Sequence, residues 1–405
     1  MKKIILKKHK EESVLRMHPW VFSGAIGQID NGLVEGDLVA VYSSEGVALG
    51  VGHYQEGSIS VRILEFGRDT LSEGFLKERL LSAIAMRKSL GLQRSDNDTY
   101  RLVHGEGDFL PGLIVDVYGK VAVIQAHSAG MHLWRKEIAE LLVELVAEVD
   151  SVYYKSEGTL PLRRHFADIE DGWLIVSSST RAQDVFLGTE NGLQFSIDWL
   201  RGQKTGFFVD QRENRRLVEH YARGRRVLNM FCYTGGFSVY ALRGGAEVVH
   251  SVDSSEKAIR LVDENVERNF PGCEHHESFC ADAFGYLDSL PVFTEGSTGA
   301  SLYDLIVLDP PAFAKHRSAI KNALQGYKRL NYKALQRIAS GGILFTFSCS
   351  QAIDKDMFRL AVFSAAAMAR RRVRILHQLH QPQDHPVSIY HPEGEYLKGL
   401  VLYVE

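Results

Sequence analysis

The feature that most restricts how this 405-residue chain can fold is the alternation of short apolar strand segments with helical segments from Arg226 onward. Strand-like runs at residues 227–230, 248–252, 305–308 and 343–347 alternate with a helical segment beginning at Phe237 and helical patterns over residues 257–269 and 327–338. Strands buried on both faces read as continuous apolar runs, and parallel neighbours need a crossover long enough to hold a helix. The pattern predicts an α/β domain with a doubly wound, Rossmann-like parallel sheet.

The preceding sequence reads differently. Residues 20–26, 38–42, 47–53 and 58–64 are short strands separated by glycine-containing turns, the pattern of a small β-barrel module. A helix at 76–90, a strand pair at 113–118 and 121–126, a second helix at 133–149 and the segment 151–155 make a small α+β unit. Short strands at 185–187 and 193–197 flank Asn191-Gly192, a strong hairpin signal. The expected division is therefore 1–72, 73–182 and 183–405.

Composition narrows the class. With 45% hydrophobic and 24% charged residues, the chain is neither disordered nor fibrous. The basic start lacks the apolar run of a signal peptide, and no stretch reaches the ~18 apolar residues of a membrane span. A cytoplasmic protein without membrane contact is expected, and the four cysteines do not form a disulfide framework. The net charge of −3 argues against nucleic-acid binding through overall charge, but the cations cluster. Lys315, Arg317, Lys321, Lys328, Arg329, Lys333 and Arg337 lie in a stretch without Asp or Glu, and Arg359, Arg370, Arg371, Arg372 and Arg374 form a second block. Such blocks are either solvated helix faces or phosphate-facing patches.

In doubly wound sheets, ligands bind at the carboxyl ends of the strands. The first strand runs into a turn containing Asn229, Phe231, Tyr233, Gly235 and Gly236, which lets a ligand approach the backbone. It lacks the G-x-G-x-x-G spacing of a pyrophosphate site. Asp253 ends the second strand, where a carboxylate can accept from both ribose hydroxyls, and Asp282-Ala283 ends the third, placed for an adenine edge. Either aspartate alone could simply cap a helix. Together, behind the glycine turn, they point to an adenosine-bearing ligand. Upstream, residues 202–212, with Lys204-Thr205-Gly206, read as a loop folding over it.

The fourth strand enters Asp309-Pro310-Pro311-Ala312-Phe313, and the fifth ends in Thr346-Phe347-Ser348-Cys349-Ser350. An acidic residue before two prolines is similar to the turn of methyltransferases that modify exocyclic amino groups, although there the aromatic residue follows the prolines directly. A thiol opposite Asp309 suits different chemistry. Carbon 5 of a pyrimidine is a poor nucleophile until a thiolate adds to carbon 6, and Cys349 is the candidate. Cys232 is expected to pack in the cofactor turn. Cys273, His275, His276 and Cys280 match no zinc spacing, so no metal is expected.

With these residues the chain resembles the bacterial 23S rRNA cytosine-C5 methyltransferases of class I fold. Residues 16–26, containing His18-Pro19-Trp20, are similar to the opening of that family's RNA-binding PUA domain, and residues 103–107 and 110–113 to its central domain. The Lys204 loop, the 229–237 turn, Asp309-Pro310-Pro311, residues 346–350 and His385-Pro386 match its catalytic half. The resemblance implies S-adenosylmethionine as cofactor, held by Asp253 and Asp282, with Asp309 on the cytosine and Cys349 as nucleophile. It implies 23S rRNA or a precursor of the large ribosomal subunit as partner, with phosphate contacts from Lys7, Lys8, Arg16, Lys315, Lys328 and Arg329. An amino-group RNA methyltransferase, a non-catalytic RNA-binding factor and a homodimer are left open.

Overall fold

The computed structural model describes residues 1–161, 166, 169–181, 186–294, 302–314 and 316–405. Lys315, position 185 and residues 295–301 lie outside the described residues. The chain divides into two compact units that do not follow its linear order. The first comprises Met1–Gly192, Ile197–Val209 and Gln383–Gly394, and the second Leu193–Ser196, Asp210–Pro382 and Glu395–Glu405.

The first unit opens with β1 (Lys2–Leu6), α1 (Glu12–Leu15), β2 (Trp20–Phe22), β3 (Ile26–Ile29), β4 (Leu38–Tyr42), β5 (Ala48–Tyr54) and β6 (Ile59–Phe66). These six strands form one sheet in the order β2-β6-β5-β4-β1-β3. β1 escapes sequence reading because its apolar signal is only Ile4, Ile5 and Leu6 behind two lysines. Its pairing, parallel to β4 and antiparallel to β3, buries Ile4 and Leu6.

There follow α2 (Phe75–Ser89), β7 (Thr99–His104), β8 (Leu113–Tyr118), β9 (Val121–Ala126), α3 (Ala129–Leu133), α4 (Arg135–Leu145), β10 (Ser151–Tyr154), β11 (Gly172–Ile175) and α5 (Ser178–Arg181). The five strands form a second sheet, β11-β10-β9-β8-β7. The single helix expected at 133–149 is instead two, because Ser128 caps an earlier turn by accepting from the Met131 amide, and the chain redirects at Trp134. Leu80, Val103, Leu113, Ile124, Ile138 and Val152 share one core here. Beyond it, β12 (Leu187–Glu190) and β13 (Leu193–Ser196) flank Asn191 and Gly192, both at positive φ (50° and 80°), as a two-residue hairpin turn requires.

The second unit continues with α6 (Arg212–Ala222), β14 (Arg226–Met230), α7 (Gly236–Arg243), β15 (Val248–Asp253), α8 (Glu256–Asn269), β16 (His276–Cys280), α9 (Ala283–Ser289) and β17 (Tyr303–Leu308). Last come α10 (Ile320–Leu335), β18 (Ile338–Ser348), α11 (Lys355–Ala369), β19 (Val373–Leu379) and β20 (Lys398–Val404). Seven strands run in the order β16-β15-β14-β17-β18-β20-β19. Successive residues of β17 feed opposite cores: Leu305 and Val307 pack with Val227 and Phe345, Ile306 and Leu308 with Leu228 and Leu344. That two-sided burial explains the unbroken apolar runs in the sequence.

The all-parallel expectation needs correction at one edge. β20 pairs antiparallel with both β18 and β19. β19 follows α11 and keeps the direction of β18, whereas β20 inserts between them without a crossover helix, so β20 is the strand that no α/β alternation announces. Among the described residues, no helix is long and apolar enough to cross a membrane.

Candidate active site

The second unit brings the predicted strand-end residues together at the carboxyl ends of adjacent strands. After β14 the backbone takes left-handed conformations at Phe231 (φ 59°), Tyr233 (φ 47°) and Gly235 (φ 78°). Two of the three carry side chains, which makes the turn costly unless its surroundings impose it. They do. The Cys232 amide donates to the Val252 carbonyl at 3.1 Å, the Tyr233 amide to Asp253 Oδ2 at 3.0 Å, and Asn265 Nδ2 to the Thr234 carbonyl at 2.9 Å. Cys232 and Thr234 are thereby buried, while Phe231 and Tyr233 stay partly exposed.

Asp253 is therefore first a clamp on this turn, and its other oxygen accepts from the Ser255 amide at 2.9 Å. A carboxylate offers about four acceptor positions, so lone pairs remain for a vicinal diol. The donor set fits an adenosine group, and the turn carries no cation for a pyrophosphate. Asp282 is exposed, and its Oδ2 accepts from the Gly285 amide at 2.8 Å as the N-cap of α9, while Ala283 behind it is buried. Asn229 lies near the end of β14, just before this turn. It is fully buried and donates to Ser238 Oγ at 2.8 Å, tying β14 to α7 from beneath the turn.

The chemical end lies between β17 and β18. Asp309 accepts from Gln211 Nε2 at 3.0 Å, and Gln211 in turn accepts from Asn214 Nδ2 at 2.6 Å. Cys349 Sγ lies 3.9 Å from the Pro310 carbonyl oxygen. The residues on either side of Cys349 are fixed by Tyr327: Ser348 Oγ donates to its hydroxyl oxygen at 2.9 Å, and that hydroxyl is also 2.9 Å from Ser350 Oγ. Lys398 Nζ donates to the Ser350 carbonyl at 2.7 Å. Phe313 packs on Tyr327, with ring centroids 4.6 Å apart.

The two candidate thiols differ in environment. Burial pushes the Cys232 thiol well up, with the Asp253 carboxylate adding to the effect, so it is held protonated. Cys349 is only partly buried.

Gln211, Tyr327 and Lys398 were not singled out from the sequence. The available signal was weakest for Gln211 and strongest for Lys398, a single lysine heading the otherwise apolar run Lys398–Val404.

The basic blocks divide. On α10, Lys328 is partly exposed, and Arg329 is exposed with its guanidinium 5.0 Å from the Phe284 ring centre. Lys333 and Arg337 are instead paired with Asp288, and Arg371 donates to the Glu405, Leu335 and Ile338 carbonyls. These three serve the fold.

The other predicted residues belong to the first unit. Lys7 and Lys8 are exposed, Lys7 donating to the Gly24 carbonyl at 3.0 Å, and Arg16 is exposed beside Glu12. Lys204 is exposed, with its ammonium 5.0 Å from the Phe208 ring centre. His385 is buried beside Asp384, whose carboxylate accepts from the Arg101 amide at 3.0 Å. His18, His391 and Glu393 cluster, but His18 Nδ1 accepts from the Trp20 amide at 3.2 Å. Nε2 must then carry the proton, which it directs at Glu393 Oε2 3.3 Å away, and a protonated nitrogen is no metal ligand.

The fold and the strand-end site define a class I S-adenosylmethionine-dependent methyltransferase with an N-terminal PUA-like domain. A family model described as S-adenosylmethionine-dependent methyltransferase matches residues 162–392, and a PUA-like domain model matches residues 4–66. The chain is 37% identical over 401 residues to the ribosomal RNA large subunit methyltransferase I of Aeromonas hydrophila and 38% identical over 402 residues to that of Shewanella frigidimarina. In each case 98% of both chains is covered. A solved methyltransferase structure complexed with SAH superposes with a TM-score of 0.83 at 22% identity, all of both chains being covered. The chain belongs to the ribosomal RNA large subunit methyltransferase I family.

Proposed function

We propose that the protein methylates carbon 5 of a cytosine in 23S rRNA, free or in a precursor of the large subunit, with Cys349 as covalent nucleophile. The observation that carries this reading is the position of Cys349 Sγ, 3.9 Å from the carbonyl of Pro310 in the turn that begins with Asp309. That contact supports a reading in which the thiol and the Asp309 carboxylate serve one substrate at the ends of β17 and β18.

In this reading Asp253 holds the ribose of the cofactor, Asp282 and Ala283 border its adenine, and Phe231, Tyr233 and Gly235 shape the wall beside it. S-adenosylmethionine supplies the electrophilic methyl group. Asp309, oriented by Gln211, hydrogen-bonds the unstacked cytosine. The Cys349 thiolate would add to carbon 6 and make carbon 5 nucleophilic toward the methyl group, whose bond to the sulfonium sulfur would break to leave S-adenosylhomocysteine. Transfer of the carbon 5 proton to solvent water then expels the thiolate and restores the ring. Residues 1–72 act as the RNA-gripping domain, 73–182 as the central domain and 183–405 as the catalytic domain, in a cytoplasmic protein. Lys7, Lys8, Arg16, Lys204, Lys328 and Arg329 are the proposed ligand-facing cations.

The test is RNA carrying 5-fluorocytosine at the target. Fluorine cannot leave as a proton, so the enzyme should remain bound through Cys349, and Cys349→Ala should lose both adduct and turnover while still binding S-adenosylmethionine. Full methylation by Cys349→Ala, or an adduct at Cys232, would overturn the reading.

A further inference from the structure

We infer that Lys398 is a positioning residue for Cys349: its buried ammonium anchors the loop that carries the thiol and holds that thiol as the thiolate. The inference rests on the proposed nucleophilic role of Cys349.

Ser348 and Lys398 are directly opposite each other in the antiparallel ladder of β18 and β20. The register puts the lysine beside the strand end from which Cys349 projects. Lys398 is only 6% exposed, and its single described hydrogen bond is to the Ser350 carbonyl, one residue beyond the thiol. Burying an ammonium against one neutral carbonyl is unfavourable, and a neighbouring anion offsets the cost.

The surrounding carboxylates are committed elsewhere. Asp354 caps α11 through the Met357 amide at 2.8 Å, and Glu395 pairs with Lys355 at 2.6 Å. Among the groups that face Lys398, which are Cys349, Asp354, Glu395 and the like-charged Lys355, the interaction with Cys349 is the largest that favours the charged lysine. Burial alone acts the other way, and the amine is brought down to about 8, so it is still mainly charged at neutral pH. Tyr327 also faces the thiol, but burial raises its hydroxyl, which stays neutral and supplies no charge. Among the described residues, Lys398 is a cation placed to favour a thiolate at Cys349, as reactive cysteines require.

The experiment is the pH dependence of iodoacetamide alkylation at Cys349 in the full-length protein, followed by peptide mass spectrometry so that Cys232, Cys273 and Cys280 are read separately. Wild type should show a midpoint at least one pH unit below the ~8.5 of a free thiol. Lys398→Met and Lys398→Gln, two replacements of unlike polarity, should each move it up by about one unit, making alkylation at pH 7 roughly tenfold slower. Tyr327→Phe, which loosens the same loop without removing charge, should leave the midpoint in place. A wild-type midpoint at the free-thiol value overturns the inference. So does a profile unmoved by both lysine variants, or one moved equally by Tyr327→Phe. Because alkylation needs neither RNA nor methyl transfer, these outcomes are distinct from failure of the 5-fluorocytosine trap.

Discussion

Gln211 Nε2 donates a 3.0 Å hydrogen bond to Asp309 Oδ2 across 98 residues of sequence. The amide has a fixed orientation because its oxygen is taken by Asn214. One carboxylate oxygen of Asp309 is thus occupied, from a direction set by the start of α6, and in the proposed reading this aligns Asp309 toward the base. Gln211→Leu should leave S-adenosylmethionine affinity within about twofold and reduce kcat on RNA by at least about tenfold, since a misaligned catalytic hydrogen bond costs on the order of 1.4 kcal/mol or more. Calorimetry with the cofactor and single-turnover methylation would separate the two effects, and an unchanged kcat would remove Gln211 from the site.

Gly235 is the third left-handed residue of the cofactor turn, and a Cβ there would meet Val262 at 3.0–3.3 Å. Gly235→Ala combines backbone strain with this contact, together about 1–2 kcal/mol, concentrated in the turn. The expected result is a cofactor Kd raised about five- to thirtyfold by calorimetry, with the thermal midpoint of the protein lowered by a few degrees. An unaltered Kd would show that the turn does not shape the cofactor site.

The basic residues of α10 should separate by function. Charge reversal at Lys328 and Arg329 is expected to weaken RNA binding and flatten its dependence on salt, because counterion release scales with the phosphates contacted. Reversal at Lys333 and Arg337 places like charges against Asp288 and should lower the thermal midpoint. Filter binding across a salt series and thermal unfolding would show whether the split holds. Equal RNA effects from both pairs would mean that exposure does not decide it.

Buried histidines set an acid limit on stability. Burial brings His53 down to about 3, and His127 and His276 to about 4, from the usual 6.5. An unfolded chain therefore binds protons at these sites before the folded one does, so stability present above pH 6.5 is lost as the pH falls through that value toward 3–4. His53, both of whose ring nitrogens are buried without a partner, should contribute most. The urea midpoint should decline from pH 7 to pH 4.5, and His53→Gln should make that decline shallower. A midpoint independent of pH over this range would refute the account.

The sequence alone determined the features that depend on near neighbours in the chain. Apolar runs set the parallel strands, because both faces of that sheet are buried, and Asn191-Gly192 specified its turn because few residues accept two left-handed conformations in succession. The strand pattern also located Asp253, Asp309 and Cys349 at or just after strand ends, where such sheets bind ligands. Tertiary structure decided what depends on distant pairing. β20 could be placed only by its antiparallel partners, and its register is what brings Lys398 to Ser350 across 48 residues. Which cations of α10 remain exposed depended on Asp288 of another helix, and the side-chain partner of Asn229 is Ser238 of α7. A side chain's charge and size are written in the sequence, but its partner and its burial are set by the packing of elements that local periodicity does not relate.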